Sequence, residues 1–125
     1  DFSVLDVVGV DPYKFRITDP SMQQMLTKSN SGNGTAGVLS AMQVLSSWGK
    51  PVVITEFGVN ARDRYTGKAI SDTVRAQWIT AAYAWMKSWN SANAVKIEAA
   101  MYFQLNPGGP YLTGVAVDAL DATTV

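Results

Sequence analysis

The chain has only two glutamates, and each lies at one end of a short apolar run. Glu56 directly follows Val52-Val53-Ile54-Thr55, whereas Glu98 directly precedes Ala99-Ala100-Met101-Tyr102-Phe103. A third carboxylate, Asp11, closes the run Leu5 to Val10. Cysteine and histidine are both absent, which excludes disulfide frameworks, zinc sites with the usual ligands, Ser-His-Asp triads and Cys-His dyads. Chemistry must therefore come from carboxylates, hydroxyls, amides, Lys, Arg or aromatic rings. Two carboxylates set side by side would raise the pKa of one, as a general acid requires, and Asp11 is the other acid placed like Glu56. Asp19, Asp63, Asp72, Asp118 and Asp121 fall in loops or caps and read as solvated.

The runs that carry these acids have the composition of buried strands. Leu5 to Val10 and Val52 to Thr55 are β-branched and nearly continuous in apolarity, the pattern of strands covered on both faces of a parallel sheet. Between them, Thr35 to Trp48 places Val38, Met42, Leu45 and Trp48 on one helical face, and Gly49 and Pro51 end that helix. Asp72 to Trp89 repeats the pattern with Val74, Trp78, Ala81, Trp85 and Trp89, capped by Ser71 or Asp72. A short extra helix is expected, capped by Asp19 with Pro20 at its first position. Strand, helix, strand, helix, strand gives two consecutive βαβ units, hence an α/β protein with three parallel strands, two long helices and right-handed crossovers.

Residues 11–34 and 57–71 make long loops after the strands, while Gly49-Lys50-Pro51 alone leads back into one. Long loops at the C-terminal ends of strands suit a (β/α)8 barrel, whose active site they build, and equally a doubly wound sheet. Three strands cannot close a barrel and would leave two open edges. The expectation is thus part of a barrel. In barrel terms, Glu56 at the loop-bearing end reads as catalytic or as a carboxylate tied to an Arg or amide, and Glu98 at the opposite end reads as structural.

Gly49-Lys50-Pro51-Val52-Val53-Ile54-Thr55-Glu56-Phe57-Gly58 resembles the seventh strand of retaining glycoside hydrolases of the large (β/α)8 superfamily that includes cellulases and mannanases of family five. Asp6 to Tyr13 is similar to the sixth strand of those enzymes, which often closes with His-x-Tyr, and Ala99 to Gln104 falls at the eighth. The resemblance implies that residues 1–125 form the C-terminal half of a barrel, strands six to eight, acting on a β-linked oligosaccharide or polysaccharide. It implies Glu56 as the nucleophile and Tyr13 as its hydrogen-bonding partner, with Asp11 at the position of the family's His. Retaining cleavage pairs an attacking carboxylate with an acid about 5–5.5 Å away; the resemblance puts that acid after a fourth strand, upstream of this sequence. Hydrolysis of O-glycosidic bonds is then the expected activity of a complete barrel, with the fragment alone inactive.

Phe57, Tyr65 and Tyr111, with Tyr13, lie in or beside the long loops and suit stacking on a pyranose, or else pack the loops themselves. Asn60, Arg62, Gln104 and Asn106 share that rim and could bond sugar hydroxyls. Trp78, Trp85 and Trp89 have helical spacing and belong to the core. Gly32-Asn33-Gly34-Thr35-Ala36-Gly37 matches the dinucleotide pattern, but no strand leads into its first glycine, so neither a dinucleotide nor another cofactor is expected. Ten basic residues balance ten acidic ones, which disfavours nucleic acid and membrane surfaces as partners. The chain is expected to pair with a complementary N-terminal half-barrel or with itself. Low charge with many Ser, Thr, Asn and Gly suits secretion. A carbohydrate-binding or structural half-barrel without catalysis remains the alternative expectation.

Overall fold

In the computed structural model, residues 4–28, 39–103 and the strand at 116–117 are described. The elements are β1 (Val8–Val10), β2 (Tyr13–Lys14), α1 (Met22–Thr27), α2 (Ala41–Ser47), β3 (Val52–Val59), α3 (Asp72–Ala92), β4 (Ile97–Tyr102) and β5 (Ala116–Val117). The α/β class and the parallel arrangement are as expected. β3 lies between β1 and β4 and runs parallel to both, with Val8 opposite Val52 and Val52 opposite Ile97. β2 continues past β1 along the same side of β3.

Several expectations are corrected. The outer edge of β4 is not open, because β5 pairs with it in antiparallel fashion through Ala100 and Met101. Of the two long helices expected, only α3 is long, at 21 residues. α2 has 7 residues and starts at Ala41 rather than Thr35. Ser40 fixes that start: its hydroxyl accepts from the Gln43 amide while the Gln43 side chain accepts from the Ser40 amide, a reciprocal cap that satisfies two otherwise orphaned donors. The same device, Ser21 with Gln24, starts α1 in place of Asp19 and Pro20. Asp19 instead accepts the amides of Phe15 and Arg16 and closes the turn before the helix. Gly49 does end α2, at φ +65°.

The helices form one layer on one face of the sheet. α1 packs on α2 and α3, and α3 packs on β3 and β4. Met22, Leu26, Met42, Leu45, Trp78, Ala82, Trp85 and Met86 bury against Val8, Val52, Ile54, Phe57, Ile97 and Ala100 in one cluster. On α3 the buried small residue is Ala82, one position on from the expected Ala81, which is exposed. Trp78 and Trp89 also satisfy their indole N–H groups, on the carbonyls of Pro20 and Val95 at 2.9 Å each. The opposite sheet face carries Val7, Gly9, Val53, Thr55, Ala99 and Met101, all exposed or half-buried. Among the described residues no helix covers it, and no helix is long and apolar enough to cross a membrane.

Candidate active site

Strand alternation alone would direct Glu56 into the helix layer, since Val52 and Ile54 point there and side chains two residues apart share a face. An extra residue in β3 prevents this. From Ile54 to Gly58 β3 advances four residues while its neighbour advances three, from Val10 to Tyr13. On the other side Ile54 to Phe57 spans three against two from Ala100 to Tyr102. The bulge lies within Thr55 to Phe57 and shifts the phase of alternation, so that Phe57 enters the helix layer and Glu56 is left exposed. Bulges of this kind bend a strand and re-aim a side chain.

Glu56 is thereby presented in the C-terminal half of β3, beside β2; it lies within the strand rather than after it, because β3 runs on past the expected end at Thr55 to Val59. Tyr13 Oη donates to Glu56 Oε2 at 2.7 Å, the pairing that the resemblance implies. Burial, followed by that bond and the charges of Glu56 and Asp11, raises the Tyr13 pKa well above its ordinary value. Tyr13 is thus a protonated donor at neutral pH. Thr55 Oγ1 donates to Asp11 Oδ1, bringing a second carboxylate to the same end of the sheet. No ion pair involves Glu56 among the described residues, so the reading of a carboxylate tied to an arginine is not what the structure shows. Glu98 is exposed near the opposite end of β4.

Of the other expected site residues, Phe57 is corrected most clearly. It is wholly buried, 5.5 Å from Tyr83 and 5.6 Å from Tyr102 ring to ring, and 6.5 Å from Trp78. It offers no face to a sugar because the bulge turns it inward. Asn60 is half-buried where β3 ends, its amide donating to the Lys14 carbonyl at 3.0 Å. Arg62 donates to the Gly67 carbonyl at 3.1 Å and so closes its own loop. Gln104, Asn106 and Tyr111 lie outside the described residues, as does the glycine run 32–37.

Three contributors were not anticipated from the sequence. A β-carbon on Gly58 would overlap the Phe103 carbonyl oxygen and come within 3.1 Å of the Tyr13 ring, so glycine is what lets the three strands close up around the pair. Phe15 stacks on Tyr13 with centroids 5.5 Å apart and planes 19° apart; its spacing of two from Tyr13 was the available signal. Asp63 joins the two long loops. Its Oδ2 accepts from Ile17 N at 2.9 Å and its Oδ1 from Tyr65 N and Thr66 N at 3.0 and 2.9 Å. These amides draw the Asp63 pKa down to about 2.

The geometry is that of an exposed carboxylate oriented by one phenol, with a second carboxylate nearby and a rigid loop pair beside it. Among the described residues, no three acidic side chains gather as a metal cluster would require. No protein-family model, curated protein or solved structure matches the chain, and the functional reading rests on this geometry.

Proposed function

We propose that the chain is the C-terminal half of a (β/α)8 barrel that hydrolyses a β-linked glycan with retention, and that Glu56 is its nucleophile. The observation that carries this reading is the 2.7 Å bond from Tyr13 Oη on β2 to Glu56 Oε2 in the C-terminal half of the parallel strand β3. A nucleophilic carboxylate must be ionised, oriented and reachable. A phenol that holds its proton orients one oxygen and leaves the other free to attack, and the exposure of Glu56 leaves room for a sugar.

The partial barrel is supported by the sheet itself. β1, β3 and β4 lie side by side in parallel, and among the described residues the helices occupy one face only. A doubly wound sheet would place helices on both faces. The bare face, with Gly9, Val53 and Ala99 in line across the strands, has the small and branched residues that fill a barrel interior once the remaining strands supply the other layers. Cleavage then proceeds by attack of a Glu56 oxygen on the anomeric carbon. An acid from the complementary half protonates the leaving oxygen, and that same group, now a base, activates water to release the sugar from Glu56.

The test is covalent labelling of the full-length protein with 2-fluoro-glycosides, followed by peptide mapping. A glycosyl adduct on Glu56 is expected. An adduct on Glu98, on Asp11 or on no residue of the chain overturns the assignment.

A further inference from the structure

We propose that Lys14 is a positioning residue for the nucleophile: its buried ammonium ties the turn 15–19 so that Phe15 holds the Tyr13 ring where its hydroxyl meets Glu56. This rests on the hydrolase reading and adds to it a residue that touches neither Glu56 nor the sugar. Lys14 follows Tyr13 on β2 and is only 4% exposed. A buried charge is costly unless it is paired or hydrogen-bonded, and among the described residues Lys14 makes no salt bridge. Its Nζ donates instead to two main-chain carbonyls, that of Ile17 at 2.9 Å and that of Asp19.

From Lys14 to Glu56 the contacts follow one another without a gap. Asp19, whose carbonyl Lys14 holds, turns its Oδ2 back onto the amides of Phe15 and Arg16 at 2.8 Å each. The Phe15 carbonyl accepts from Arg64 N at 2.9 Å, so residue 15 is fixed on both sides. Its ring lies on that of Tyr13, with centroids 5.5 Å apart and planes 19° apart, and Tyr13 Oη donates to Glu56 Oε2 at 2.7 Å. The backbone of Tyr13 is set by its place opposite Gly58. What remains free is rotation of the side chain, and Gly58 beside the ring has no side chain to stop it. The stacked Phe15 ring supplies that stop. A lysine that merely closes a turn predicts lost stability and no change at Tyr13; a lysine that positions Tyr13 predicts a change in the phenol–carboxylate bond as well.

Lys14→Met keeps the length of the side chain and removes the ammonium. In the full-length protein kcat is expected to fall about tenfold with KM nearly unchanged, the lower end of the loss expected for the Tyr13 bond itself. Made on Tyr13→Phe, the same substitution should change kcat less than about twofold, because the hydroxyl it positions is already gone. Phe15→Leu keeps the main-chain bonds of the turn and removes only the ring; it should reproduce both results, and it remains readable if Lys14→Met melts early. A second measurement needs no turnover. With 13C-labelled tyrosine in the 125-residue chain, the Tyr13 Cζ resonance at neutral pH should move in both variants toward that of a tyrosine free in water. A resonance that stays in place in either variant, a kcat that neither variant lowers, or losses that multiply in full on Tyr13→Phe overturns the proposal. If the full-length protein cleaves no glycan while the Tyr13 resonance moves as expected, the hydrolase reading fails and the positioning of Tyr13 on Glu56 stands.

Discussion

A β-carbon at position 58 would overlap the carbonyl oxygen of Phe103, so Gly58 and Phe103 together set how closely β3 and the end of β4 approach. The opposing atom is backbone, fixed by the bond from Phe103 N to Phe57 O at 2.8 Å, and cannot swing aside. Gly58→Ala should therefore cost about 1–3 kcal/mol, as overpacking does. The new methyl also meets the Tyr13 ring at 3.1 Å, so turnover is expected to fall along with the melting temperature. A variant that melts as the parent does would show that the strands are not held this closely.

Tyr13→Phe keeps the ring stacked on Phe15 and removes only the donor to Glu56. A hydrogen bond to a charged group is worth about 1.5–3 kcal/mol, so kcat should drop about 10- to 100-fold with KM nearly unchanged. Because the Tyr13 pKa lies above its ordinary value, the phenol stays protonated, and an alkaline limb of the rate profile near pH 10 should not respond to this substitution. Steady-state kinetics across pH checks both statements.

How much of this site was legible in the sequence depends on the scale of the feature. Val52 to Thr55 is β-branched and follows Pro51, so the start of β3 could be read from composition, whereas its continuation through Glu56, Phe57, Gly58 and Val59 could not. Nor could the bulge. It is a mismatch in count between β3 and both neighbours, and no run of residues within β3 specifies a mismatch with strands elsewhere. The error over Phe57 follows from that single feature, since uninterrupted alternation puts residue 57 on the face away from the helices. Likewise the start of α2 was misplaced because Val38 extended the apolar stripe, whereas the boundary was decided by the Ser40 and Gln43 cap.

Asp63 yields a prediction in pH. Its folded pKa, about 2, lies below the ordinary 3.8, so the stability it contributes is fully present above pH 4 and is lost as pH falls from about 4 through 2. Asp63→Asn, which loses the charge accepting the amides of Ile17, Tyr65 and Thr66, should melt below the parent at pH 5 and 7. The gap should close as both are melted at successively lower pH. A gap that stays constant down to pH 2 would mean that shape rather than charge holds the two loops together.

Glu56 and Glu98 give the sharpest contrast, because both are exposed glutamates on neighbouring strands and only one is argued to react. Glu56→Gln preserves size and can still accept from Tyr13, yet it removes the attacking charge; in the full-length protein turnover should fall by several orders of magnitude while the melting temperature barely moves. Glu98→Gln should leave both quantities close to the parent, since surface substitutions away from specific partners usually stay within about 0.5 kcal/mol. Had Glu56 been one half of a buried ion pair, the same change would cost about 3–5 kcal/mol and would first appear as lost stability. Its exposure and the phenol as its hydrogen-bond partner predict the reverse order, with catalysis collapsing on an intact fold. Added azide offers a second readout in Glu56→Ala, where a small anion that occupies the vacated space should restore part of the glycosyl transfer, giving a glycosyl azide of inverted configuration. An early-melting Glu56→Gln protein that still hydrolyses substrate would remove Glu56 from the mechanism.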